Sequence, residues 1–183
     1  MGKIKEKKIK IKNEKTVLIR TSKESDAESY LELGKSVMSE NIFSLTKSQE
    51  LTMTVKEEGE WIKSNIDNPN HLIIVAEIEG QIVGQLDFAN GHRERIAHTG
   101  EFGMSVHKDF RGCGIGGLLL ESLIMWCRSN TKIEKINLCV HHTNNRAIKM
   151  YEKYGFKKEG IRSKDLKYSK DEYVDTILMG LFL

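Results

Sequence analysis

The chain has 183 residues, of which 39% are hydrophobic and 30% are charged, and its formal net charge is +3. This length and composition suit one well-buried globular domain, and no apolar run approaches the ~20 residues that cross a bilayer. The charged N-terminus lacks the apolar segment of a secretory signal, and the three cysteines form no CxxC pair. We therefore expect a cytoplasmic protein with no membrane partner, no disulfide framework and no metal site.

The positive charge belongs to the first fifteen residues. Residues 1–15 hold seven lysines and two glutamates, which gives this segment a charge of +5 and leaves −2 for the rest of the chain. No aromatic residue lies between the lysines, so nucleic-acid binding is not predicted. We divide the chain into a basic N-terminal extension, residues 1–15, which we expect to be solvated, and one domain, residues 16–183.

Apolar periodicity and turn residues predict four helices and about seven strands. Ser25 with Glu28, and Thr54 with Glu57, match capping boxes at the starts of the first two helices. The order predicts a single-domain α/β (α+β) fold, with a mixed, mostly antiparallel sheet flanked by helices. The predicted elements are a strand at 16–21, helices at 27–38 and 54–66, a hairpin at 72–88, a strand at 98–106, a helix at 115–127, a strand at 136–140, a helix at 144–154, and final strands from 156 and 173.

A glycine-rich segment joins the strand at 98–106 to the helix that follows it. Residues 111–117 read Arg-Gly-Cys-Gly-Ile-Gly-Gly, and such a glycine density is expected where the backbone bends sharply or approaches a ligand closely. The first N–H groups of a helix are unpaired and carry partial positive charge, so this position favours phosphate. The segment therefore predicts a phosphate or pyrophosphate site.

Two common phosphate motifs fit this segment less well. Residues 112–117 match the GxGxxG fingerprint of nicotinamide oxidoreductases, but the acid that the motif requires, Glu134, precedes its strand instead of ending it. Only 66 residues remain after Gly117, which is too few for a dinucleotide domain. A Walker A loop needs Lys and Ser or Thr where this chain has Leu118 and Leu119.

A third pattern fits better. Arg111, Gly114 and Gly116 have the spacing Arg-x-x-Gly-x-Gly, and residues 144–156 read Asn-x-x-Ala-x-x-x-Tyr-Glu-Lys-x-Gly-Phe. Together these motifs resemble the GNAT (Gcn5-related N-acetyltransferase) superfamily over roughly residues 16–183. The resemblance implies an enzyme that takes acetyl-CoA as its cosubstrate and needs no metal.

The resemblance also implies a role for each matching residue. Backbone N–H groups of the glycine segment would hold the pyrophosphate, and the end of the preceding strand would pair with the pantetheine amides and polarise the thioester carbonyl. Asn144 would contact the pantetheine arm, and Tyr151 would protonate the departing thiolate. The implied cosubstrate-binding residues are Met104, Ser105, Val106, Arg111, Gly112, Cys113, Gly114, Ile115, Gly116, Gly117, Asn144 and Tyr151.

The acceptor amine requires a base, because an alkyl ammonium has a pKa of ~10.4 and is almost wholly protonated at neutral pH. Glu101, on the strand that leads to the acetyl group, is the first choice, and His98, His141 and His142 are alternatives. Relatives that acetylate the N-terminus of a ribosomal protein have a glutamate where this chain has Cys139. That difference weakens the case for a protein N-terminus as the acceptor.

The sequence thus predicts direct attack of an amine on acetyl-CoA in a ternary complex. The acceptor is expected to be a small-molecule amine or an amine of a peptide or protein. A non-catalytic acyl-CoA-binding module is the alternative, and an NAD(P)-dependent oxidoreductase is less favoured. Small domains of this kind often pair, which is compatible with a homodimer.

Overall fold

The computed structural model describes residues 2–12, 14–130 and 132–183. This part of the chain contains eight strands and four α-helices. None of the helices in it is long and apolar enough to cross a membrane. In chain order the elements are β1 (Lys7–Lys10), β2 (Thr16–Thr21), α1 (Ala27–Ser39), α2 (Val55–Asp67), β3 (His71–Ile78), β4 (Gln81–Asn90), β5 (Thr99–Val106), α3 (Ile115–Ser129), β6 (Lys135–His141), α4 (Asn145–Lys153), β7 (Lys157–Lys167) and β8 (Tyr173–Phe182).

The strands form one sheet in the order β1-β2-β3-β4-β5-β6-β8-β7. β5 and β6 run parallel, whereas β1 with β2, β2 with β3, β3 with β4, β6 with β8 and β7 with β8 are antiparallel. The predicted fold class, a mixed and mostly antiparallel sheet with four helices, is confirmed. The described residues contain one strand more than the seven or so predicted, and this strand is β1.

β1 lies inside the predicted N-terminal extension. It pairs with β2 from Lys7 opposite Ile19 to Lys10 opposite Thr16, and the following Ile11 is only 7% exposed. The apolar residues Ile9 and Ile11 alternate with lysines, which is the two-residue period of a strand with one solvated face. The sequence prediction missed this strand because the lysines dominate the composition of the segment.

The chain divides into two compact units, and β5 contributes residues to both. Of the described residues, the first unit takes those up to Ala89 together with Gly103–Trp126, and the second takes Asn90–Phe102 and Cys127–Leu183. In the first unit, α1 and α2 pack on one face of β3 and β4 through a buried cluster. Its members are Ala27, Tyr30, Leu33, Ile62, Ile73, Val75 and Ile82.

The opposite face of β4 carries α3. A Cβ atom on Gly84 would lie 3.1 Å from Ile115 and 3.2 Å from Leu119, so this glycine allows the helix to approach the strand closely. Helices therefore pack on both faces of β4, and the polar side chains in the middle of this strand are partly buried.

The helix α1 begins at Ala27 as predicted, but its cap differs from the prediction. A 3₁₀ turn at Glu24–Asp26 precedes the helix, and the N-cap residue is Asp26 rather than Ser25 of the predicted Ser25–Glu28 box. The Asp26 carboxylate accepts two hydrogen bonds from the guanidinium of Arg20, at 2.7 and 2.9 Å. A buried ion pair therefore fixes this helix end, in place of the expected capping box.

Two other helix ends agree with the prediction. The N–H of Glu57 donates to Thr54 Oγ1 at 3.2 Å and the N–H of Thr54 donates to Glu57 Oε2 at 2.8 Å, which is a complete capping box for α2. Gly155 follows α4 with φ of 93°, the left-handed conformation that commonly ends a helix at glycine.

In the second unit, β6 pairs with both β5 and β8. Alternate residues of β6, Ile136, Leu138 and Val140, are buried, which gives this strand one covered face. The helix α4 buries Ile148 and Tyr151, so Tyr151 is held within the packed interior of this unit.

Candidate functional site

The glycine segment forms the entrance to α3. After β5 the chain makes a 3₁₀ turn at Lys108–Phe110, and the first helical residue is Ile115. Gly112 and Gly114 have φ values of 85° and 95°, a region that L side chains rarely adopt. Among the described residues, no atom lies within 4 Å of the position that a Cβ on Gly114 would take.

The first turn of α3 has backbone N–H groups without partners inside the helix. At the start of the helix the N–H of Leu118 donates to the carbonyl of Gly114 at 3.1 Å. The N–H groups of Ile115, Gly116 and Gly117 belong to the first helical turn, where an α-helix offers them no internal partner. Positive-φ glycines, open space and unpaired N–H groups together fit an anionic group such as a pyrophosphate.

The side chain of Arg111 is occupied by other partners. Its Nε donates to the carbonyl of Val106 at 2.9 Å, and its two terminal nitrogens donate to the two carboxylate oxygens of Glu40, each at 2.6 Å. These hydrogen bonds and the charge of Arg111 lower the pKa of Glu40 against the opposing effect of burial. The charge of Arg111 is thus balanced in this structure, and its expected role toward pyrophosphate stays a prediction.

The three residues predicted to bind pantetheine, Met104, Ser105 and Val106, form the end of β5 and are half-buried. They belong to the first unit together with the glycine segment. The structure therefore brings together, in one unit, the strand end and the helix start that were predicted to hold the cosubstrate.

Tyr151 and Asn144 belong to the second unit. Tyr151 is 8% exposed, and its ring lies 5.9 Å from that of Phe102 and 5.8 Å from that of Phe156. Burial raises the pKa of Tyr151 to about 12, so the hydroxyl keeps its proton at neutral pH. Asn144 is the N-cap of α4, and its side-chain oxygen accepts the N–H of Ala147 at 3.2 Å.

Glu101, the residue that the sequence analysis favours as the base, is exposed on β5 and lies opposite Asn137 of β6. Cys139, two residues further along β6, is also exposed. Burial raises the pKa of Cys139, the charge of Arg162 lowers it, and the charge of Glu101 raises it. Glu101 and Cys139 are therefore close enough for one charge to act on the other.

The three alternative bases have different surroundings. The carbonyl of His98 accepts the N–H groups of Glu134 and Lys135 at 2.8 and 3.2 Å. The rings of His141 and His142 are stacked, with centroids 5.6 Å apart. Burial, with a smaller contribution from His142, lowers the pKa of His141. None of these observations singles out one of the three histidines as the base.

Comparison with known proteins identifies the family. The profile of the acetyltransferase (GNAT) family matches residues 39–156. The chain belongs to this family. It is 34% identical, over 120 residues, to the L-amino acid N-acetyltransferase AaaT of Escherichia coli (strain K12), an alignment that covers 66% of this chain and 74% of that protein.

Solved structures agree on the fold. An acetyltransferase of the GNAT family from Streptococcus pneumoniae superposes with a TM-score of 0.87 at 25% identity, over 91% of this chain and 99% of that one. The putative acetyltransferase yncA from Salmonella typhimurium, solved with its cofactor acetyl-CoA, gives a TM-score of 0.80 at 19% identity, over 91% and 94% of the two chains. The predicted family, fold and enzyme class are confirmed, and the protein is an acyltransferase.

This GNAT-family chain contains a cluster of four polar side chains that the sequence analysis did not predict. We call it the Asp87 cluster and define it as Tyr30, Glu58, Gln85 and Asp87, all in the first unit. In the β3–β4 ladder Asp87 lies opposite Ile73 and Gln85 opposite Val75. Residues opposite each other on paired strands share a face, so Gln85 and Asp87 point to the face that α1 and α2 cover.

The sequence did not predict this cluster, because Gln85 and Asp87 alternate with apolar residues of β4. Such alternation is typical of a strand with one solvated face. The signal that would have revealed it is the order of elements, because helices predicted on both faces of the sheet leave no solvated face at a central strand.

The interior shifts the acid–base behaviour of the Asp87 cluster. Burial raises the pKa of Asp87 to about 6, although its own backbone N–H opposes the shift. Burial and the charge of Asp87 raise the pKa of Glu58. Burial, the charge of Asp87 and the charge of Glu58 together raise the pKa of Tyr30 well above its ordinary value.

Proposed function

We propose that the protein transfers the acetyl group of acetyl-CoA to a primary amine, which attacks the thioester directly in a ternary complex. The observation that carries this proposal is the open, positive-φ glycine turn at the start of α3 in a chain of the GNAT family. The acceptor class comprises small-molecule amines and amines of peptides or proteins. The name of the AaaT relative adds amino acids to the candidates that deserve testing.

The first unit supplies the groups that would bind acetyl-CoA. The backbone N–H groups of residues 111–117 would bind the pyrophosphate, and helix α3 would add the partial positive charge of its N-terminus. Met104, Ser105 and Val106 would pair with the pantetheine amides, and one N–H of this strand would polarise the thioester carbonyl. Such donors lower the barrier because they stabilise the negative charge that develops on that oxygen.

Tyr151 is the proposed acid. Tyr151, whose pKa is raised to about 12 by burial, holds a proton that it would donate to the CoA sulfur. A thiol has a pKa of ~8.5, so the thiolate leaves readily and a weak acid is sufficient. Asn144 would contact the pantetheine arm through the part of its side chain that does not cap α4. Glu101 remains the sequence's candidate for the base, with His98, His141 and His142 as alternatives.

The donor site can be tested with two matched glycine variants. Gly114 and Gly80 both have positive φ, 95° and 83°, and in the described part of the chain no atom lies within 4 Å of a Cβ at either position. Gly114→Ala and Gly80→Ala therefore impose similar backbone strain. We expect CoA to raise the melting temperature of wild type and Gly80→Ala, and to lose most of this effect in Gly114→Ala.

Catalysis is tested by thiol release from acetyl-CoA across polyamines, amino acids, aminoglycosides and peptides. We expect at least one amine class to exceed the background hydrolysis rate. CoA binding without turnover for every class would favour the acyl-CoA-binding module instead. Equal CoA binding by both glycine variants would remove the glycine turn from the donor site.

A further inference from the structure

The Asp87 cluster contains two buried polar atoms without partners. Tyr30 is 5% exposed, and neither its hydroxyl nor the side-chain oxygen of Gln85 forms a hydrogen bond with any of the described residues. Buried polar groups in native proteins are almost always hydrogen-bonded, because leaving one unpaired is costly. Two such atoms in one cluster indicate a place that a ligand completes.

The charge of the cluster indicates which ligand. Asp87 and Glu58 are both carboxylates, and no ion pair in the described parts of the chain involves either of them. The buried cation Arg20 is already held by Asp26 and Glu77. Two carboxylates in the interior repel one another, and a cation between α1, α2 and β4 would relieve that repulsion.

The position of Asp87 relates the cluster to the proposed donor site. A Cβ on Gly103 would lie 3.1 Å from Asp87 Oδ1, so the carboxylate rests against the backbone of β5 at Gly103. The next three residues are Met104–Val106, the strand end proposed to hold the thioester. Asp87 and Gln85 are half-buried, which leaves this side of the cluster within reach of a small group.

We propose that Asp87 binds the ammonium group of the acceptor and takes its proton, with the Tyr30 hydroxyl and the Gln85 side-chain oxygen completing the polar surroundings; this inference rests on the proposed acetyl transfer. An ammonium has three N–H donors, and the cluster presents oxygen atoms that accept them. Glu58 adds negative charge, so the preferred acceptor is an amine without a carboxylate next to its nitrogen.

The proton balance is complete without a further reactant. The ammonium transfers one proton to the Asp87 carboxylate, and the neutral nitrogen forms the C–N bond to the thioester carbon. The C–S bond then breaks and its electron pair stays on sulfur. Of the two protons that the nitrogen loses, one passes through Asp87 to water and the other ends on the CoA thiol. The products are an acetamide, CoA and one released proton.

The first test compares Asp87→Asn with Asp67→Asn, an exposed position at the end of α2. We expect Asp87→Asn to keep the CoA-induced rise in melting temperature and to lose about 100-fold in kcat/KM, which is within the range for removal of a general base. Asp67→Asn should match wild type. The charged or titratable groups that face Asp87 are Tyr30 from α1 and Glu58 from α2, and Glu58→Gln should keep the pH dependence that Asp87→Asn removes.

The second test concerns acceptor class and uses L-leucine, L-leucinamide and 3-methylbutylamine, which share a side chain and differ at the carboxylate position. We expect the amide and the amine to exceed leucine at least tenfold in kcat/KM with wild type. A preference for free leucine, or an Asp87→Asn enzyme with wild-type rate and pH profile, would overturn the inference and leave acetyl transfer intact. Absence of turnover by wild type with every amine would overturn the proposed function itself, and this inference with it.

Discussion

Asp87 and Glu101 are the same kind of functional group in very different surroundings. Asp87 lies on β4 under two helices, and burial raises its pKa to about 6. Glu101 lies on β5 with its side chain exposed. A general base works best when its pKa is near the working pH, and burial is what moves a carboxylate there. The comparison shows that surroundings, more than residue type, decide which carboxylate is suited to take a proton.

The largest expected effect is the loss of activity when the Asp87 carboxylate is replaced by an amide, compared with the same exchange at Glu101. Asp87→Asn should lower kcat/KM about 100-fold, whereas Glu101→Gln should stay within about threefold of wild type if Asp87 rather than Glu101 takes the proton. In wild type and Glu101→Gln, kcat/KM should fall as the pH drops through about 6, where Asp87 gains its proton. Asp87→Asn should lack this inflection.

The measurement is the pH profile of thiol release between pH 5 and 9 for all three enzymes. A larger loss in Glu101→Gln than in Asp87→Asn would reverse the comparison and make Glu101 the base. In that case the exposed carboxylate would depend on the bound substrate to exclude water from it.

A smaller effect on activity is expected when Tyr151, the proposed acid, is replaced. Tyr151→Phe should lower kcat about tenfold and leave CoA binding unchanged, because a thiolate with a pKa of ~8.5 leaves with little help, whereas an ammonium with a pKa of ~10.4 must lose a proton before it can attack. Single-turnover thiol release, with CoA-induced thermal stabilisation as the control, measures this difference. A Tyr151→Phe enzyme that is slower than Asp87→Asn would make protonation of the thiolate the harder step.

These two residues also differ in how well the sequence revealed them. Tyr151 and the glycine segment lie in local motifs, where spacing along the chain is enough to recognise them. Asp87 becomes notable only when α1 and α2 cover β4, which depends on contacts between distant parts of the chain. The same limit applies to Arg111, whose partner Glu40 lies 71 residues away, and no spacing rule predicts that pair.

Most of the fold could likewise be predicted from local patterns in the sequence. Apolar periodicity located the helices and strands from β2 to β8, including the hairpin predicted at 72–88. β1 was missed because its lysines were read as a solvated extension, although Ile9 and Ile11 keep a strand period. The predicted Ser25–Glu28 capping box of α1 was wrong because Asp26 takes the N-cap position, where its carboxylate pairs with Arg20 of β2.

The last expected effect, and the one of opposite sign, is on stability. The folded-state pKa of Asp87 is raised from 3.8 to about 6, so the unfolded chain ionises first as the pH rises. The folded state is therefore penalised progressively from pH ~4 to ~6 and fully above that range. Asp87→Asn removes the ionisation and should stabilise the protein by about 3 kcal/mol at pH 8, with a gain that shrinks toward pH 4.

Glu101→Gln should change stability by less than about 0.5 kcal/mol at either pH, as exposed substitutions usually do. Urea unfolding of the three proteins at pH 4.5 and pH 8 measures both effects. A variant that is more stable and less active is the expected signature of a residue kept for function at the expense of folding. If Asp87→Asn is instead less stable than wild type at pH 8, the Asp87 carboxylate has a structural partner in the folded protein. Asp87 and Glu101 would then differ in their packing and not in their suitability as a base.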